Sequence, residues 1–304
     1  MNRIKVVGLG LCVYDLSLLV DGFPEADTKV DAQDVWHGGG GPVPNALVTL
    51  ARWGVSCAYV GSVGDDLWGR ALRAAFQAAG VDVSALALVP GRATPVASLL
   101  VDAKTGRRTA VLGGDSTSVP ESIPPGLIEN ATVVHLDARH PQSCLEASRR
   151  ARLSGVAVSL DVGSPRREGL ELLDAADHLV VAERFASFAT GKYTVPEMLE
   201  GLWRAHSDSI VITRGEAGST GRDRTTGLTE CGRVEVDVVD TTGAGDIYHA
   251  GYLLGLIEGW GLLRRMQFAS AAAALACTRL GARGCIPERK DVEALLRKVW
   301  VPTC

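Results

Sequence analysis

Between residues 130 and 213 short apolar runs alternate with stretches of helical periodicity, and this rhythm constrains the fold more than any other feature of the chain. Residues 133–136, 156–160, 178–181 and 210–213 read as strands, and residues 141–153, 166–175, 183–190 and 195–206 as helices. The strand runs are continuously apolar, so both of their faces are expected to be covered. Strands alternating with helices imply a largely parallel sheet flanked by helices on both sides. Residues 4–9 add a similar run. A helix is expected from Asn45 to Gly54, a strand over 57–60, and a helix over 65–79 closed by Gly80. Two later helices are expected over 262–280, which is Ala-rich, and 287–300.

Residues 16–37 and 94–112 differ. They alternate apolar and polar, contain turns such as Asp21-Gly22-Phe23-Pro24, and carry no helical pattern. They predict one small sheet set apart from the main alternation. No repeat or linker divides the chain, so residues 1–304 read as one α/β domain, with a lid from about 16–37 and 93–113.

Ligands in parallel sheets sit beyond the carboxyl ends of the strands. Residues 234–239 also read as a strand, so Gly10, Asp137, Asp161, Thr213 and a turn at 240–246 all fall at such ends. In that turn Gly243-Ala244-Gly245 opens a helix and Asp246 lies in its first coil. Unpaired N–H groups and the helix dipole make such a place an anion site. A carboxylate beside it suits removal of a proton from a hydroxyl that attacks phosphorus. The same residues also suit a plain helix cap, and the turn alone does not separate the two readings.

Other chemistries are excluded more firmly. A net charge of −4 gives no basic face for nucleic acid. The motif G-x-x-x-x-G-K-[ST] is absent, as are G-x-S-x-G and H-E-x-x-H, and the six histidines show no ligand spacing. Gly8-Leu9-Gly10 lacks the third glycine of a dinucleotide turn, since Val13 stands there. The seven cysteines are odd in number and lack C-x-x-C spacing, so a reduced, cytoplasmic chain is expected. The start, Met1-Asn2-Arg3-Ile4-Lys5, shows no signal-peptide pattern, and no run is long enough to span a membrane.

Two stretches about 200 residues apart carry a resemblance. Asp240-Thr241-Thr242-Gly243-Ala244-Gly245-Asp246 resembles the C-terminal signature of the ribokinase-like (PfkB) carbohydrate kinases, and Gly40-Gly41-Pro42-Val43-Pro44-Asn45 resembles their N-terminal one. Thr213-x-Gly215-x-x-Gly218 and Arg108 also fit, so the resemblance covers the whole chain. Asp15, Asp21, Phe23-Pro24, Asp27 and Trp36 follow ketohexokinase-like members. Asp137 to Pro141 and Asp246 to His249 look closer to sulfofructose-kinase-like ones.

The resemblance implies a ribokinase-like three-layer α/β sandwich with a β lid. It implies ATP-dependent phosphorylation of a primary hydroxyl of a small sugar, ketohexose-like or a sugar acid. A nucleoside kinase and an idle sugar-binding regulator are the competing readings. Asp246 matches the base, and Gly243, Ala244 and Gly245 the anion hole. Asp15, Asp27, Gly40, Gly41 and Asn45 match sugar contacts, and Arg108 a lid arginine approaching phosphates. Thr213, Gly215, Gly218, Thr242, Cys277 and Gly281 match the nucleotide side. ATP and Mg²⁺ are the implied cofactors, with K⁺ left open, and a homodimer through the lid is implied. Where the family often has Asn-x-x-Glu, this chain has Ala182-Glu183-Arg184-Phe185, which leaves Glu183 for a water-mediated metal contact. Pro42 replaces a polar residue that faces the sugar in ketohexokinases. Simple structural roles compete at several positions. Asn45 could cap its helix, Asp27 could be a solvated carboxylate, Arg108 could form a surface ion pair, and His249 and Cys277 could be packing residues.

Overall fold

The computed structural model describes residues 3–114 and 122–300; Met1 and Asn2, named above, and Cys304, one of the seven cysteines, lie outside them. The chain forms two sheets. Strands β1 (Val6–Leu9), β4 (Cys57–Gly64), β5 (Asp82–Val89), β8 (Val133–Asp137), β9 (Ala157–Val162), β10 (His178–Ala182), β11 (Ser209–Thr213), β12 (Ser219–Asp223) and β13 (Gly227–Cys231) build the larger one. Its order is β13-β12-β11-β10-β9-β8-β1-β4-β5. Neighbours from β5 to β11 pair parallel, and β12 and β13 close one edge antiparallel. Strands β2 (Val13–Val20), β3 (Asp34–Gly40), β6 (Val96–Asp102) and β7 (Arg108–Gly113) form the smaller sheet, in the order β3-β2-β6-β7. The expected α/β layering and the separate small sheet are both present.

Helices cover both faces of the larger sheet, as its apolar strands require. One core packs α3 (Pro141–Leu153), α5 (Glu183–Thr190) and α6 (Val195–Leu202) against Val7, Leu9, Val134 and Leu160. The other packs α1 (Pro42–Arg52), α2 (Leu67–Ala78), α7 (Ala244–Ile257), α8 (Leu262–Ala276) and α9 (Arg289–Val299) against Val6, Cys57, Tyr59 and Val133. Val6 and Val7 thus serve opposite faces of one strand, and each such buried aliphatic side chain contributes about 1.5–3 kcal/mol. α7 is apolar nearly all round, with Ile247, Tyr252 and Leu253 fully buried. That pattern places a helix inside the molecule instead of on its surface, so the first turn of α7 is held rigidly.

Several expectations are corrected. Residues 234–239 form no strand: they pair with neither sheet, Glu235 and Asp237 face solvent, and β13 remains the edge strand on that side. Val239 and Asp240 instead donate their N–H groups to Cys277 O at 2.8 and 3.1 Å. β5, which the sequence reading left unassigned, is an edge strand whose exposed alternate residues weaken its apolar signal. The helix expected over 166–175 is shortened to α4 (Arg167–Glu171) and a following 3-10 turn.

Candidate active site

The expected acceptor side begins where β3 meets α1. Gly41 caps α1 with φ of 102°, and a Cβ there would lie 2.0 Å from Leu11 O. Only glycine fits that turn. Pro42 then occupies the first helical position, where its fixed φ is an advantage. The helix therefore starts at Pro42, three residues before the expected Asn45. Asn45 N–H donates to Gly41 O at 3.0 Å, so its side chain is not needed as the cap. Asn45 Nδ2 instead donates to Asp246 Oδ2 at 2.7 Å, and Asn45 Oδ1 accepts from Arg283 Nε at 2.7 Å.

Asp15, on β2, is buried beside Gly40, where any Cβ would come within 2.0 Å of its carboxylate. Burial pushes the Asp15 carboxyl up to about 7, against the pull of Arg283. Asp246 is also raised, by burial and then by the charge of Asp161, while the bond from Asn45 opposes the shift. Asp137 ties the floor together: its carboxylate accepts from Leu11 N and Arg139 N, each at 2.8 Å. Asp27 sits on the exposed loop between β2 and β3 with φ of 60°, and no hydrogen bond links it to this cluster among the described residues.

The expected anion hole lies at the start of α7. Gly243 adopts a left-handed φ of 79° as the N-cap. Ala244 N–H turns back to Thr241 O at 3.3 Å, whereas the N–H groups of Gly243, Gly245 and Asp246 have no backbone acceptor among the described residues. The small sheet touches this turn directly. Gly106 O accepts from Thr241 N and Oγ1, and Arg108 Nη1 reaches Thr241 O and Oγ1 at 3.3 Å.

Beside the turn opens a cavity of about 680 Å³. Thr213, Gly215, Gly218, Ala244, Gly245 and Cys277 line it, as expected of a nucleotide site. Arg107, which the sequence suggests is simply solvated, lines it too. Thr242 and Gly281 are not lining residues. Asp240, fully buried, accepts from both their N–H groups at 2.8 Å and so joins the turn to the loop after α8. Gly281 has φ of 88° and faces Trp36 of β3. Glu183 is exposed at the start of α5, and Phe185 is fully buried where the family often carries a glutamate.

Sequence reasoning missed two groups. Arg283 lies in a short loop among glycines, outside any motif. His135, Asp161 and His249 come from three distant segments and form a buried cluster, with His249 Nε2 3.2 Å from Asp161 Oδ1. Burial pulls His135 down to about 3, while His249 holds Asp161 low despite burial. No sequence spacing announces this cluster, because its members meet only through the strand order.

A model of the pfkB family carbohydrate kinases matches residues 3–289. An ATP-dependent ribose-1-phosphate kinase from Halopiger xanaduensis is 34% identical over 96% of this chain and 98% of its own length. A ribokinase from Bacillus subtilis is 29% identical over 97% of this chain and 100% of its own. The crystal structure of a ribokinase from Thermotoga maritima superimposes with a TM-score of 0.83 at 25% identity, covering 97% of this chain and 99% of that one. With both signatures folded onto one cleft, the chain belongs to the pfkB family of carbohydrate kinases.

Proposed function

We propose that this kinase transfers the γ-phosphoryl group of ATP to a primary hydroxyl of a small sugar, with Asp246 as the base. The hydrogen bond from Asn45 to Asp246 carries the reading, because it joins the acceptor-side signature to the anion-binding turn. The raised Asp246 carboxyl is a stronger base than a solvated one. It takes the hydroxyl proton as the oxygen bonds to the γ-phosphorus, and the bond to the β-phosphate oxygen breaks to release ADP. The N–H groups of Gly243 and Gly245 and the α7 dipole stabilise the charge that moves. Asp15 and Asn45 bind acceptor hydroxyls, and leaving either unpaired is costly, which makes them selective. Mg²⁺ carried on the ATP phosphates would supply charge neutralisation, and Glu183 is the residue we assign to contact it through water. Thr242 Oγ1, buried without a partner beside Asp240, supports a K⁺ requirement.

The names of the relatives favour a ribosyl acceptor over the ketohexose or sugar acid expected from the motifs. ADP release is to be measured with ATP and Mg²⁺, in Na⁺ or K⁺, against ribose, fructose, sugar phosphates, sugar acids and nucleosides. Release dependent on one sugar class is the expected result; none with any acceptor would leave an idle binding protein. The outer strands β3 and β7, with Val35 53% and Val111 65% exposed, support a homodimer through the small sheet. A monomeric mass in light scattering would overturn that.

A further inference from the structure

Arg283 has no part in the steps above, yet it stands next to them. Its Nε holds Asn45 Oδ1, which orients the amide so that Nδ2 meets Asp246. The guanidinium lies 5.5 Å from the centre of the Phe76 ring. Its Nη1 edge runs along Gly39, where an added Cβ would come within 2.3 Å. Nη2 is buried without an acceptor, and no carboxylate pairs with this arginine among the described residues. Asp15 lies close enough to act on it electrostatically, but burial keeps that carboxyl protonated up to about 7, so its charge offsets the arginine only in part.

A guanidinium cannot shed its charge in a protein. An enclosed cation with an unused donor is costly until an anion completes it. Holding Asn45 does not require a cation, because a neutral amide could donate the same hydrogen bond. Arg283, Asp246, Gly41 and Pro42 keep part of their surface open, while Asn45, Asp15 and Gly40 are buried behind them. The charged group therefore sits close to the base, and each keeps some open surface. Asn45 spaces the two, with one end on each, so a molecule the size of a sugar ring can touch both.

We propose that the acceptor carries an anionic group, a phosphate monoester or a carboxylate, at the end remote from the hydroxyl that Asp246 deprotonates, and that Arg283 binds it. This rests on the kinase reading and names the class of its acceptor. Guanidinium–anion pairing is short and bidentate where geometry allows, and a pocket built for a charge rejects the neutral analogue.

The test gives wild-type protein ribose, ribose 1-phosphate or ribonate. Binding is read by thermal shift without ATP, and turnover by ADP release with ATP and Mg²⁺. One of the two anions is expected to exceed ribose at least about 10-fold in kcat/KM and to raise Tm more. Which one does so separates phosphate from carboxylate. Arg283→Gln, which can still hold Asn45, is expected to narrow the anionic-to-neutral preference about 10–100-fold, chiefly through KM. Ribose used as well as either anion overturns the proposal. So does a loss in Arg283→Gln that falls on kcat equally for all acceptors, which would mark a residue that only positions Asn45. Should that variant fail to fold, the wild-type panel decides alone. A Tm rise with an anionic sugar but no ADP would support the anion site and break the kinase reading. ADP from ribose alone would do the reverse. Neither shift nor ADP with either anion overturns the anion site.

Discussion

On the proposed acceptor side of the cleft, charged and amide side chains from four distant segments gather: Asn45 is hydrogen-bonded to both Asp246 and Arg283, and Asp15 is buried against Gly40, next to the Gly41 turn that only glycine fits. On the nucleotide side the lining is open and mixed, with small residues such as Gly215, Gly218, Ala244 and Cys277 beside exposed charged ones such as Arg107, Glu216 and Arg233, around a cavity of about 680 Å³. The difference follows from what each side must do. A common donor can be held by shape and backbone amides, whereas telling one small polyol from another requires buried groups that suffer when left unpaired. The acceptor side should therefore be intolerant of small changes, and the nucleotide side tolerant of them.

The largest expected effect tests the point where the two sides meet. Asp246→Asn should lower kcat by roughly two decades or more while acceptor binding, read by thermal shift, persists. Wild-type kcat/KM should fall as pH drops through a pKa above the ordinary carboxylate range, because only the ionised Asp246 accepts a proton. Near-normal turnover in the variant would remove the chemistry from this junction.

A middle effect sets stability against selectivity. The folded Asp15 carboxyl holds its proton up to about 7, whereas the unfolded one releases it near 3.8. The stability contributed by the protonated group is thus complete below the lower value and is lost as pH rises through the upper one. Asp15→Asn should therefore gain on wild type between those values, by on the order of 1–4 kcal/mol above pH 7, while kcat/KM for the sugar falls. A variant equally stable at pH 5 and 8 relative to wild type would show that Asp15 is already neutralised.

The smallest effect belongs to the tolerant side. Cys277 Sγ donates only to Ala273 O, at 3.2 Å. Cys277→Ala should change KM for ATP by less than about threefold and cost about 1 kcal/mol of stability or less. A tenfold rise in KM would mean that the nucleotide side is as specified as the acceptor side.

The alternating apolar runs determined the parallel sheet, since strand and helix periodicities are local and each needs only neighbouring residues. The glycine turns at 40–41 and 243–245 were equally legible, because the backbone conformation they allow is written in one or two residues. What failed at the sequence level failed for a physical reason in each case. Residues 234–239 have strand-like composition, but a strand also needs a partner strand to hydrogen-bond with, and this segment pairs with neither sheet. Asn45, matched to a sugar contact, was also open to a capping role, and Gly41 and Pro42 start the helix without it. The partners of Arg283, and the meeting of His135, Asp161 and His249, depend on strand order and on where a loop lands after α8. Electrostatics of that kind is a property of distance in space. The sequence alone therefore determined the fold class and the glycine turn that opens α7, and it pointed to Asp246. Only the tertiary structure brought a guanidinium to the other end of Asn45 from that carboxylate, and with it the charge that the acceptor is proposed to carry.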